Sequence, residues 1–199
     1  MKRHVRRTLD VPADGRPLRI AVVADTHSRP HPKLDQRLEE LRPDIVMHAG
    51  DIGDTAVLEA LAVHGKVIAV RGNIDEKAAD LPDVVTLDVR DGAVTLLKVL
   101  LLHIAVNGPR LRADIARLAR AEDASLVVCG HSHVPFASND GPIAVFNPGS
   151  VGPKRFDLPI VLGLATIGRT SVSLLHLDVE TGAAWRPAPR PASRGPASD

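Results

Sequence analysis

The sequence predicts an α/β protein in which two sheets pack face to face with helices outside. Three observations predict it. Apolar runs alternate with helical patterns over the first half of the chain, and short aliphatic runs separated by turn residues fill the second half. The third is size: 199 residues with 44% apolar content can bury one substantial core and leave little for a second. No internal repeat is visible.

The elements follow in order. Residues 1–17 carry Lys2, Arg3, Arg6, Arg7 and Arg16 with Pro12 and Pro17, and read as a basic N-terminal arm or an irregular first strand. Leu18 to Ala24 reads as a strand, Lys33 to Leu41 as a helix, Ile45 to His48 as a strand, Thr55 to Val63 as a helix and Val67 to Val70 as a strand. That βαβαβ order predicts a parallel sheet with crossover helices. Val84 to Val89 and Ala93 to Leu102 form a predicted hairpin about Arg90-Asp91-Gly92. After a helix from about Leu111 to Ala121, the runs Leu126 to Cys129, Val134 to Ala137, Ile143 to Phe146, Ile160 to Thr166 and Val172 to Leu177 read mostly as an antiparallel meander. Asn139-Asp140-Gly141 supplies a turn. Trp185 to Asp199 is rich in Pro, Ala, Arg and Ser without apolar periodicity. The expected division is an arm over 1–17, one domain over 18–180 and a disordered tail over 181–199.

Composition excludes several classes. A net charge of +1, from 25 basic and 24 acidic residues, gives no polyanion-binding signature. Aromatics are 2% with no Tyr, so base-stacking platforms are nearly absent and nucleic acid is disfavoured as a partner. The lone Cys129 cannot form an internal disulfide, and MKRHVRRTLD lacks the apolar core of a secretory signal, so a cytoplasmic protein is expected. Ala93 to Leu102 is too short to span a bilayer and contains Lys98, so no membrane is expected as a partner. Oligomeric state stays open, a homo-oligomer included.

Four segments place metal-type side chains directly after apolar strand runs, where open α/β sheets gather their binding groups. Asp25-Thr26-His27 follows LRIAVV, Gly50-Asp51 follows DIVMH, Gly72-Asn73 follows VIAV, and Gly130-His131-Ser132-His133 follows SLVVC. Gly50 permits a close turn that aims a carboxylate, and Asn73 offers a neutral amide oxygen. Each piece alone is common; the ordered set is specific. The mixed nitrogen and oxygen donors, without thiolate, favour Mn(II), with Fe, Zn, Ni or Co as alternatives. Cys129 ends an apolar run and reads as a small buried hydrophobe.

With DTH at 25–27, GD at 50–51, GNID at 72–75, His103 after VLLLH, GHSH at 130–133 and NPGS at 147–150, the sequence resembles the calcineurin-like metallophosphoesterase superfamily, and its small prokaryotic phosphodiesterase branch in particular. The resemblance covers residues 18 to 178. It implies a four-layer α/β/β/α sandwich of two mixed sheets flanked by helices. It also implies two divalent ions, one held by Asp25, His27, Asp51 and His133, the other by Asp51, Asn73, His103 and His131, with Asp51 bridging. Asp51, Asn73 and His103 are then the expected catalytic residues. The implied reaction is hydrolysis of a small phosphate ester, a diester in the first instance, by a hydroxide bridging the two metals.

Two positions depart from the pattern. Many superfamily members carry a His after Gly-Asn as a proton donor to the leaving group, and here Ile74 stands there; the small phosphodiesterase branch shares the lack. The residue after the fifth-motif His is Ile104 where Gly is usual, which bears on how His103 is aimed. Asp75 is expected to hold a ligand histidine by a hydrogen bond. Arg155 reads as exposed, with phosphate binding as its alternative, and Asn147 and Ser150 read as loop-shaping residues. His4, His31, His64 and His176 lack motif context, while His48 lies three residues before Asp51 and either leans toward the site or is solvated. The resemblance leaves two other functions open: a non-catalytic scaffold, as this fold serves in the retromer coat, and a nuclease, since double-strand-break nucleases share the motif order.

Overall fold

The computed structural model describes residues 3–108 and 110–187. In chain order its strands are β1 (His4–Asp10), β2 (Leu18–Val23), β3 (Ile45–His48), β4 (Lys66–Ala69), β5 (Val84–Asp91), β6 (Val94–Leu102), β7 (Val106–Asn107), β8 (Arg110–Leu111), β9 (Leu126–Val128), β10 (Phe136–Asp140), β11 (Ile143–Asn147), β12 (Val161–Ile167), β13 (Val172–Asp178) and β14 (Ala184–Trp185). The helices are α1 (Leu34–Leu41), α2 (Ala56–Leu61) and α3 (Ala113–Ala121). One six-stranded sheet has the order β1-β5-β6-β9-β11-β10, the other β14-β13-β12-β2-β3-β4. Both are mixed. The pairs β2-β3 and β3-β4 are parallel, as a βαβαβ unit requires.

The layers follow from side-chain alternation along the strands. Ile20, Val22, Met47 and Ile68 meet Leu87, Val99, Leu101, Val128 and Phe146 in the core between the sheets. The opposite faces are covered by helices. Leu34 and Leu38 of α1, with Val57 and Leu61 of α2, cover Ala21, Val23 and Val46, while Ile115, Ala116 and Ala119 of α3 cover Leu100, Val127 and Val145. The four-layer α/β/β/α sandwich expected from the sequence is therefore the observed architecture. Each fully buried leucine on these helices contributes about 1.5–3 kcal/mol. Helix α1 ends where Arg42 turns left-handed (φ 45°), its N–H returning to Leu38, and Pro43 follows.

Several expectations need correction. Residues 4–10, read as an arm or an irregular first strand, form a regular edge strand β1, parallel to β5 from His4↔Val84 to Asp10↔Arg90. Its exposed Arg6 and Arg7 charge the open edge, and Leu9 anchors it in the core. The β5-β6 turn moves to Gly92-Ala93, because Asp91 still pairs with Val94 past a bulge at Val89/Arg90. The second half is not mainly antiparallel at its centre, for β9 pairs in parallel with both β6 and β11. Part of the predicted tail is strand β14, where Trp185 pairs with His176. Residues 1–2 and 188–199 of the predicted arm and tail lie outside the described residues. No helix among the described residues is long and apolar enough to cross a membrane.

Candidate metal centre

The seven residues picked from the sequence follow the C-terminal ends of β2, β3, β4, β6 and β9, so strands of both sheets deliver their loops to one place. Five of them have left-handed backbone: Asp25 (φ 56°), His27 (47°), Asp51 (56°), His131 (71°) and His133 (58°). That conformation costs an L-residue roughly 1–2 kcal/mol each, and strain of this kind concentrates at functional sites. Backbone bonds hold it: Asp25 N–H donates to Gly50 O (2.9 Å), His27 N–H to Asp51 O (3.0 Å) and Ser28 N–H to Ile52 O (2.8 Å). Gly50 (φ 93°) is needed because a Cβ there would lie 2.7 Å from His103 Nδ1.

Two overlapping groups of donors result. One ligand atom each from Asp25, His27 and His133 lies within 4.8 Å of the others, and so do atoms from Asp25, Asp51 and His103. Asp25 belongs to both groups. Asp51 also spans them, with Oδ2 3.7 Å from His27 Nε2 and Oδ1 3.2 Å from His103 Nε2. His133 Nε2 is 3.5 Å from Asp25 Oδ1 and 3.4 Å from His27 Nε2. Asn73 is exposed and lines a hollow of about 150 Å3 with His103. His131 is exposed; its ring centroid is 5.2 Å from that of His103, and its backbone N–H donates to Asp25 (3.1 Å).

Neighbouring residues fix these loops. The buried Asp75 carboxylate accepts N–H bonds from Ile52 (3.1 Å), Gly53 (2.9 Å) and Gly72 (2.8 Å). It thus ties the Asp51 loop to the Asn73 loop and does not take the expected histidine partner. Gly50 N–H donates to His48 Nδ1 (3.2 Å), so Nε2–H of the neutral ring donates to Thr26 Oγ1 (3.0 Å), whose hydroxyl donates to Ile52 O (2.9 Å). His48 therefore neither enters the donor groups nor meets solvent; it braces two loops from beneath. Asn147 Nδ2 donates to Gly130 O (2.7 Å) and Ser150 Oγ to Asp25 O (3.1 Å), the loop-shaping roles read from NPGS. His176 stacks on Phe146 (4.7 Å) and donates to Asn147 O (2.7 Å). Both histidines carry one local signal, a polar residue in an apolar strand run: His176 stands between Leu175 and Leu177, and His48 closes Ile45–His48.

The electrostatics divide the donors into those already free of a proton and those from which a cation would displace one. Burial, reinforced by Asp51 and only partly offset by His103, pushes the Asp25 carboxyl up to about 7. Burial works upward on Asp51 as well, but His103, the Ile74 N–H and His27 outweigh it and hold that carboxyl below its ordinary range. Burial lowers His27 and His131, and with Arg155 and His27 nearby it takes His133 down to about 4. These rings are neutral at pH 7, as metal ligation demands. For His103 burial works downward, yet Asp51 and the Ala49 carbonyl prevail and raise its imidazole. Its Nδ1–H donates to Ala49 O (2.8 Å), which aims Nε2 at Asp51; buried Nε2 nevertheless makes no hydrogen bond. An unpaired buried nitrogen facing a carboxylate is what a divalent cation between them would satisfy. Cys129 is buried under α3 and burial pushes its thiol up to about 12, so it offers no thiolate.

The model of the calcineurin-like phosphoesterase superfamily domain matches residues 18–170. The chain belongs to this family. Over 169 residues it is 28% identical to a protein of Methanocaldococcus jannaschii named a probable metallophosphoesterase, covering 80% of this chain and 81% of that one. Among the solved structures that share its fold are two of particular interest. A phosphoesterase from E. coli has a TM-score of 0.56 at 22% identity, covering 83% of this chain and 96% of that one. Vps29 of Entamoeba histolytica, solved with zinc, has a TM-score of 0.66 at 20% identity, covering 84% and 96%. Within the family's motifs, the altered residue Ile104 leaves His103 in the donor set, because the Ala49 hydrogen bond orients the ring.

Proposed function

We propose that this chain is a metal-dependent phosphoesterase that hydrolyses a small phosphate ester, with diesters its preferred class. The observation that carries the reading is the convergence of two carboxylates and three imidazole donors in two overlapping groups within 4.8 Å. Asp25, His27, Asp51 and His133 would hold one divalent ion, and Asp51, Asn73, His103 and His131 the other. Mn(II) best fits the nitrogen and oxygen donors, with Fe, Zn, Ni or Co as alternatives. Bound, the pair would supply Lewis acidity and bring the pKa of a water toward neutrality, as zinc does to about 7.

The rest is the work of the chain. Two carboxylates against two dications leave a positive surplus that draws in a phosphate. Arg155 adds to it: its exposed guanidinium lies 3.1 Å from His27 Nε2, the nitrogen a bound ion would claim, so it stands over the donor cluster and is free to turn to a phosphoryl oxygen. Ile74 is 48% exposed beside Asn73 and has no proton to give, so esters with good leaving groups are favoured. We read residues 18–180 as the catalytic unit, with β1 as its added edge strand.

Purified chain should hydrolyse bis(p-nitrophenyl) phosphate with Mn(II) and stop on chelation, and Asp51→Asn should abolish turnover. Turnover that persists without metal would sink the proposal. A second reading, a non-catalytic scaffold, draws on the fold shared with Vps29; stoichiometric partner capture without ester turnover would favour it.

A further inference from the structure

A cleft of about 320 Å3 opens beside His131, lined by Ile104, Val106, Val134 and Phe136 and by the backbone of Gly108 and Gly130. His131 is common to the cleft and the candidate centre, where its N–H reaches Asp25 and its ring lies against that of His103. The cleft therefore begins where a bound phosphate would end. No Asp, Glu, Lys or Arg among the described residues lines it, and Asn107 and Ser132 are its only polar side chains besides His131; the charged Arg110, Arg112 and Asp114 line a separate, more open hollow that shares Ile104, Val106, Asn107 and His131 with it. Val134 is 44% exposed there, an apolar side chain held against water at the edge of a charged site.

Its walls are built in advance. The β7-β8 ladder pairs Val106 with Leu111, Arg112 N–H donates to Ala105 O (2.9 Å), and Leu111 N–H donates to Asp140 Oδ2 (2.9 Å). Phe136 and Val106 pack on the core beneath α3. Ile104 contributes a branched side chain to the wall at the position following His103. A volume near the lower end of the ~300–1,000 Å3 range of ligand pockets has room for one ring or a short alkyl chain. Recognition of a nucleobase would need several groups aimed at its polar edge between apolar or aromatic faces. Phe136 and the aliphatic walls offer the faces, but Asn107, Ser132 and His131 are the only polar side chains lining the cleft among the described residues, and the His131 ring lies against His103 at the candidate centre.

We infer that this cleft takes the apolar alcohol group of the ester, so that the substrate class is an aryl or short-alkyl phosphate ester and not a nucleotide. The inference rests on the phosphoesterase reading, because it is the phosphate at the candidate centre that places the alcohol in the cleft.

Binding of non-hydrolysable phosphonates to the Mn(II)-loaded full chain, measured by calorimetry, tests it without relying on turnover. Phenylphosphonate should bind at least about tenfold tighter than methylphosphonate, a difference of roughly 1.4 kcal/mol. In Val134→Asp, a change at a half-exposed position, that ratio should fall to within about twofold of unity while circular dichroism remains that of the parent. Adenosine monophosphate should bind more weakly than phenylphosphonate. Equal affinities for the two phosphonates, binding of neither, a ratio that survives Val134→Asp, or preference for the nucleotide would each overturn the assignment. The two readings fail separately. Phenyl preference without hydrolysis of bis(p-nitrophenyl) phosphate would remove the activity and keep the cleft, whereas hydrolysis without phenyl preference would do the reverse.

Discussion

Gly72→Ala tests how closely the Asp51 and Asn73 loops are fitted to each other. Gly72 has ordinary backbone geometry, so alanine meets no conformational penalty, but its Cβ would lie 2.2 Å from both the backbone nitrogen and Oδ1 of Asp51 and 2.9 Å from its Cα. Contacts under 3.0 Å are essentially never made by real Cβ atoms, and a clash with backbone cannot be relieved by rotating a side chain. The Asp51 loop must recede by roughly 1 Å. Overpacking of that kind costs about 1–3 kcal/mol, which for a chain of this size lowers the melting temperature by roughly 2–12 °C. The effect on the site is larger, because the Asp51 carboxylate faces both His27 (3.7 Å) and His103 (3.2 Å). A 1 Å misplacement can cost ~100-fold in function, and Mn(II) affinity measured by calorimetry should fall by roughly tenfold to 100-fold. Gly92→Ala is the control. Its Cβ meets nothing within 4 Å, its φ of 60° charges an L-residue a comparable ~1–2 kcal/mol, and it lies at the opposite end of β6, about 30 Å from His103 along the strand. Stability should drop in both variants and Mn(II) affinity in Gly72→Ala alone. Unchanged Mn(II) affinity in Gly72→Ala, or an equal loss in both, would refute the reasoning.

Three further predictions concern the residues around the donors. Asp75→Asn keeps one acceptor oxygen but sets its NH2 against the N–H of either Gly72 or Gly53; it should cost about 1–3 kcal/mol in a urea titration and weaken Mn(II) binding in step. Burial takes the His48 imidazole from 6.5 down to about 4, so the unfolded chain binds the extra proton between these values. The His48 contribution is thus complete above pH 6.5 and lost as pH falls toward 4, amounting to at most ~3 kcal/mol. In chelated protein, His48→Asn, which keeps an acceptor for Gly50 N–H, should show a shallower fall in melting temperature over that range; an unaltered slope would count against buried neutral His48. Arg155→Ala should raise the inhibition constant of inorganic phosphate by about tenfold without changing the number of Mn(II) ions bound, and no change would remove Arg155 from phosphate binding.

The parts of the fold legible in the sequence are those whose cause is local. Leu18–Val23 and Ile45–His48 are aliphatic runs buried on both faces, and Leu34, Leu38 and Leu41 repeat at helical spacing, so the βαβαβ unit shows itself. The donors were legible because each follows a strand that could be recognised. Strand β1 is legible only as one of two alternatives, an arm or an irregular first strand, since only Leu9 of His4–Asp10 is buried and its pairing partner lies 80 residues away in β5. The parallel pairing of β9 with β6 and β11 is likewise set by packing that no short window contains. The sequence places Asp75 beside the donors but does not give its partners, because which backbone amides converge on a carboxylate depends on how Gly72 and Ile52 approach in three dimensions.

The central claim is that Asp51 joins two cation sites. Titrating chelator-stripped chain with Mn(II) while recording its electron paramagnetic resonance tests this most directly. The account predicts two equivalents bound, an exchange-coupled signal that appears with the second, hydrolysis of bis(p-nitrophenyl) phosphate that rises with that signal, and loss of the coupling in Asp51→Asn. A single uncoupled ion at saturation, or coupling that survives Asp51→Asn, would contradict it.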